Sequence, residues 1–161
     1  MVRTQFGSQI YDFHILGQAK IGTSLKAGSP TPRPAIGFCY LRPCLNGWPT
    51  YQNMHHCIGW TGSDECKFGC NAGNDSLKHY CACQIVKEAY LKLNPYLPWR
   101  SGVQHFLCLH GTYTDKQLLF QFRFIYSVFM TFNYCRHNAD HRCDIPTLVT
   151  DFLSKASGKS N

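Results

Sequence analysis

At 161 residues the chain is one domain's worth of polypeptide. Hydrophobic residues make up 44% and charged residues 16%, with 14% aromatic, which is enough to fill a core and excludes a disordered protein. Lys and Arg outnumber Asp and Glu by 16 to 9, and the formal net charge of +7 is compatible with an anionic partner without requiring one.

Ten cysteines need an explanation. In a secreted protein they would read as disulfides. The stretch Met1–Gln9 has neither an apolar leader core nor a small-residue cleavage site. No apolar window is long enough to span a membrane; Leu118–Tyr134 comes closest and is interrupted by Gln121, Arg123 and Asn133. The expected setting is therefore intracellular, in nucleus or cytoplasm, not secreted and without a membrane. In that setting clustered Cys and His point to metal, and scattered cysteines act as small buried hydrophobes.

In chain order, residues 1–37 are expected to be an N-terminal tail and linker, because Gly28-Ser-Pro-Thr-Pro-Arg-Pro34 forces extended geometry. A helical domain is expected over 38–156, followed by a polar tail over 157–161. Phe38–Leu45 reads as a short helix or strand, Asn46-Gly47 as a turn, and 49–65 as irregular.

The pattern Cys66-x3-Cys70-x8-His79-x3-Cys83 then presents three thiols and an imidazole at spacings that close around one tetrahedral zinc ion. Gly69 lets the backbone turn before Cys70, and Phe68 is expected against Leu77 or Tyr80. Asn74-Asp75-Ser76 supplies side-chain acceptors for the start of a helix carrying Leu77, Tyr80, Cys81, Ile85 and Ala89, which Pro95 and Pro98 terminate. On one continuous helix His79 and Cys83 project together, whereas Cys81 points away from His79, so the favoured ligands are Cys66, Cys70, His79 and Cys83. Disulfides or unligated buried thiols are the competing readings. A catalytic zinc needs an open position and a nearby base, and apart from Glu65 nothing in the pattern supplies one.

Thr114-x-x-Gln117 has capping-box form and opens a helix expected over Asp115–His137, with Leu118, Phe122, Ile125, Phe129 and Phe132 on its apolar face. A last helix is expected from near Pro146, burying Leu148, Val149, Phe152 and Leu153. The fold class is thus small and mainly α, a zinc knuckle (turn plus helix) packed with two or three further helices. Cys135, His137, His141 and Cys143 form a weaker second metal candidate. His55-His56-Cys57 and His105/Cys108/His110 read as ordinary surface or core residues.

The segments Leu45-Asn-Gly-Trp48, Cys66-Lys-Phe-Gly-Cys70, Asp75-Ser-Leu-Lys-His-Tyr80 and Cys83, with Tyr126 and Asn133-Tyr-Cys-Arg-His137 downstream, together resemble a known region. It is the zinc-binding region that follows the polymerase in non-LTR (LINE-like) retrotransposon reverse transcriptases. The resemblance covers about residues 38–140 and departs from the family at Pro49 and Gln84. It implies that Cys66, Cys70, His79 and Cys83 hold zinc, and that the module contacts RNA or DNA beside a polymerase domain absent from this chain. Lys67, Lys78, Lys87, Lys92 and Arg100 would then meet phosphates, and Tyr80 or Trp99 would stack on bases. No Asp-Asp pair is present to hold polymerase metal ions, so an isolated, non-enzymatic fragment is expected.

Overall fold

The computed structural model describes residues 4–6, 9–11, 47–59, 61–138 and 144–157. Strands β1 (Thr4–Phe6) and β2 (Gln9–Tyr11) form an antiparallel hairpin that pairs Thr4 with Tyr11 and Phe6 with Gln9. The other elements are helices: α1 (Tyr51–Ile58), α2 (Leu77–Tyr80), α3 (Gln84–Leu93), α4 (Val103–Phe106), α5 (Asp115–His137) and α6 (Ile145–Ala156). The protein is small and mainly helical, as its patterning predicts. The expected linker at Gly28–Pro34 and the Phe38–Leu45 element lie outside the described residues.

Helix α5 is the axis of the core. Thr114 Oγ1 accepts from Gln117 N–H while Gln117 Oε1 accepts from Thr114 N–H, so the reciprocal cap forms as the sequence predicts. The expected stripe is inside: Phe122, Ile125, Phe129 and Phe132 are buried, and Leu118 is half-buried. Phe124, Ser127, Val128 and Thr131 are buried as well, so the burial extends beyond one face. Helix α6 packs on α5 and on α3. Ile145, Val149 and Ala156 are its most buried residues, whereas the expected core positions Leu148, Phe152 and Leu153 are only half-buried.

Ring contacts join the N-terminal half to this axis. Trp48, 1% exposed, lies 5.4 Å from Phe129, 6.0 Å from Phe132 and 6.1 Å from Tyr80, centroid to centroid. Tyr90 of α3 meets Phe120 and Phe124 edge-on. Gln121 donates to the Phe106 carbonyl at 2.7 Å, and Arg136 donates to the Pro49 carbonyl at 3.2 Å. These buried polar links supply partners for carbonyls that would otherwise be costly to enclose.

Two expectations need correction. The segment 49–65 is not irregular throughout, because α1 occupies Tyr51–Ile58. Its sequence, Tyr-Gln-Asn-Met-His-His-Cys-Ile, carries no strong apolar stripe, and its stability comes from its ends. Thr50 accepts from Asn53 N–H, Gly59 closes the helix in left-handed conformation at φ 66°, and the Asp75 carboxylate takes Tyr51 N–H. The expected continuous helix through Leu77 and Ala89 is instead two helices, α2 and α3, broken at Cys81–Cys83. The Cys81 carbonyl accepts from Gly102 N–H at 3.2 Å, and Cys83 adopts extended backbone at the head of α3.

Because Phe132 is fully buried where Trp48 and Tyr80 meet α5, Phe132→Ala should cost about 3–5 kcal/mol. Tyr134→Ala, at an exposed position on the same helix, should change stability by no more than about 0.5 kcal/mol. Urea unfolding of the two variants checks this; equal losses would mean that Phe132 is not in the core.

Candidate metal centre

The knuckle is a backbone reversal. Glu65 bridges Asn74, and Cys66 N–H donates to the Gly73 carbonyl at 3.2 Å. Between them Gly69 turns the chain at φ 71°, its N–H reaching the Cys66 carbonyl at 2.9 Å. A Cβ at Gly69 would meet open space, so glycine is there for its conformation. The turn aims the Phe68 and Cys70 amides at the Cys66 sulfur, and the first turn of α3 aims the Ile85 and Val86 amides at Cys83.

His79 enters from α2. Ser76 caps that short helix by accepting His79 N–H at 3.2 Å, and the imidazole Nε2 lies 3.1 Å from Cys70 Sγ. One ligand atom from each of Cys66, Cys70, His79 and Cys83 lies within 4.8 Å of the others. Ligand atoms about 2.0–2.3 Å from a tetrahedral centre sit about 3.3–3.8 Å apart, so a small contraction seats an ion. These four residues can hold a metal ion. They come from three pieces of backbone, the knuckle, α2 and the head of α3, and not from the single helix face first expected for His79 and Cys83. Cys81 is outside the cluster, fully buried, with its thiol pushed up by that burial.

The Cys66 thiol is raised first by its hydrogen bond with Cys83 and then by burial, while the same bond lowers Cys83. A bound cation must displace the proton that this environment holds on Cys66.

Asp75 and Tyr80 hold this arrangement. Tyr80, fully buried, donates its hydroxyl to Asp75 Oδ1 at 2.8 Å and accepts Lys67 N–H at 3.2 Å. Asp75 Oδ2 accepts Tyr51 N–H at 2.8 Å. One buried pair thus links the knuckle, α2 and the start of α1. The Tyr80 ring packs at 5.1 Å on Phe68 and 5.5 Å on Phe132. Tyr80 therefore cannot stack on a base as first expected. Burial pushes both the Asp75 carboxyl and the Tyr80 hydroxyl above their ordinary values, with the Asp75 charge adding to the effect on Tyr80.

Of the other residues expected at an interface, Lys78, Lys92 and Arg100 are exposed, and Lys67 and Lys87 are half-buried. Lys67 Nζ donates to the Ser63 carbonyl at 2.8 Å. Trp99 is half-buried against Tyr90 and Phe106. The second metal candidate cannot be placed as a set, since His141 and Cys143 lie outside the described residues. No described helix is long and apolar enough to cross a membrane.

Gly73 is the contributor that spacing did not reveal. A Cβ there would fall 2.7 Å from Cε1 and 2.8 Å from Cγ of His79, inside van der Waals contact. Gly73 matters for space, as Gly69 matters for conformation. Gly73→Ala should displace the imidazole and weaken metal binding about 10–100-fold, the usual cost of disturbing a ligand's support. Competition with a chromophoric chelator measures this, and wild-type affinity would show that the ring does not need its present seat. Metal affinity should also rise with pH, and loading at neutral pH should release protons, because the raised Cys66 thiol must lose its proton to bind. Titration in two buffers of different ionisation enthalpy reads that release.

The chain matches no family model, and comparison with curated proteins and with solved structures returns no match.

Proposed function

We propose that this chain is a zinc-stabilised, nucleic-acid-binding module of the kind that follows the polymerase in non-LTR retrotransposon reverse transcriptases, without polymerase activity of its own. The convergence of three thiols and one imidazole carries the reading. Soft sulfur and imidazole donors in a four-ligand set suit zinc better than magnesium or calcium, which take oxygen. The protein supplies all four positions, and Cys66 and Cys83 are buried, so the site folds the chain and leaves no place for a substrate.

The residues that carry the family resemblance have defined roles in this fold. Trp48, Asp75, His79 and Tyr80 form one connected set, and each positions the knuckle or packs it on the core. RNA or DNA is the partner favoured by the net charge of +7 and by a groove of about 460 Å³ beside the knuckle. Tyr51, His55, His56, Asn74, Ser76 and Lys78 line that groove, and no carboxylate does, which suits a phosphate backbone. A polymerase domain outside this chain is the protein partner implied.

Purified protein should carry about one zinc per chain by mass spectrometry, as a four-ligand Cys/His set predicts, and Cys70→Ser with His79→Ala should abolish it. Zinc-free protein that folds like the loaded form would overturn the structural role. Binding to single-stranded RNA or DNA should weaken steeply with salt, and reversing Lys67 and Lys78 to Glu should lower the salt slope by about one per contact. Zinc with no salt-dependent nucleic-acid affinity would leave a scaffold module and remove the nucleic-acid reading.

A further inference from the structure

A second pocket, of about 300 Å³, lies between the α3–α4 connection and the first half of α5, and no knuckle residue lines it. Tyr90, Trp99, Phe106 and Tyr113 are its aromatic lining residues. Trp99 meets Tyr90 at 5.2 Å and Phe106 at 6.2 Å, both edge-on. Polar side chains line it as well, among them Gln117 and Thr112. Gln121 is held by its bond to the Phe106 carbonyl, His105 carries a buried Nδ1 with no hydrogen-bond partner, and exposed Arg100 stands among the lining residues. Aromatic side chains combined with oriented polar groups are how small-ligand sites are generally built, and the volume is at the small end of their range.

The loop that shapes the pocket is held in costly backbone. Cys108, 4% exposed, carries that cost at φ 51°, while Gly111 takes φ 97° without one. A buried non-glycine residue in left-handed conformation costs about 1–3 kcal/mol and persists where its surroundings over-determine it. Here Leu109 N–H reaches the Gln104 carbonyl at 2.8 Å and Cys108 N–H the His105 carbonyl at 3.0 Å. These bonds fix the loop's backbone beside the pocket.

We infer that this pocket binds one unpaired nucleotide, its base against Trp99 and Tyr113 and its phosphate on Arg100. No carboxylate lines the pocket, which disfavours the organic cations that aromatic cages otherwise take. Arg100 favours an anionic group, and aromatic faces with a fixed carboxamide favour a planar ring with hydrogen-bonding edges. A nucleotide combines both features. The inference extends the nucleic-acid reading, but the pocket uses none of the knuckle residues and accepts a free nucleotide as well as one in a strand.

The test titrates the full chain, purified with its metal, with adenosine 5′-monophosphate, adenosine and a single-stranded oligonucleotide, following tryptophan fluorescence and calorimetric heat. Adenosine 5′-monophosphate should quench saturably, and Trp99→Phe should remove the quench. Arg100→Gln, at an exposed position that leaves the fold intact, should weaken the nucleotide about tenfold, equivalent to about 1.4 kcal/mol, and leave adenosine unchanged. No saturable nucleotide binding, or Arg100→Gln binding as wild type, would overturn the inference. Salt-dependent oligonucleotide binding without nucleotide binding would overturn the pocket and spare the module reading. Nucleotide binding without oligonucleotide binding would support the pocket and overturn that reading.

Discussion

The arrangement depends first on one buried hydrogen bond, from the Tyr80 hydroxyl to the Asp75 carboxylate. A carboxylate enclosed at 2% exposure is tolerable only if its oxygens are engaged, and here a phenol and the Tyr51 amide engage them. The phenol oxygen in turn accepts the amide of Lys67, between the first two knuckle cysteines. Three segments that share no continuous helix or sheet are positioned by these two side chains. The metal ligands are then placed as a consequence.

Core and knuckle are one body for the same reason. The Tyr80 ring lies between Phe68 of the knuckle and Phe132 of α5, with Trp48 on a third side. Cysteines 66, 81 and 83 belong to the same buried cluster as the aromatic residues of α5. Only two of the four ligands, Cys70 and His79, reach toward solvent. A cation at the site would therefore be bound at the rim of a hydrophobic core, where the surrounding protein excludes water from two of its sulfurs.

Legibility in the sequence followed the range of the interactions. The α5 cap and stripe were legible because capping is a contact across three residues and the 3.6-residue period repeats over many turns. The ligand set was legible because donor chemistry and spacing are both local. Helix α1 was not, since its first amide is satisfied by Asp75, 24 positions away, and no local pattern announces that bond. The break between α2 and α3 was hidden similarly, in the bond from Gly102 to the Cys81 carbonyl. Tyr80 was misread because aromatic content does not show which rings face inward. Gly73 leaves no signal beyond its identity, since its importance is the room it leaves for His79.

The knuckle, α2 and the head of α3 lie close together in the chain, so their closure costs little loop entropy and needs no distant segment. The contact between Arg136 and Pro49 spans 87 positions, and the Trp48 contacts with α5 are comparably distant. Short-range contacts form faster than long-range ones. During synthesis the four Cys/His residues are made before any of α5, so the Cys/His loop can organise early and give the later aromatic helix a surface on which to condense.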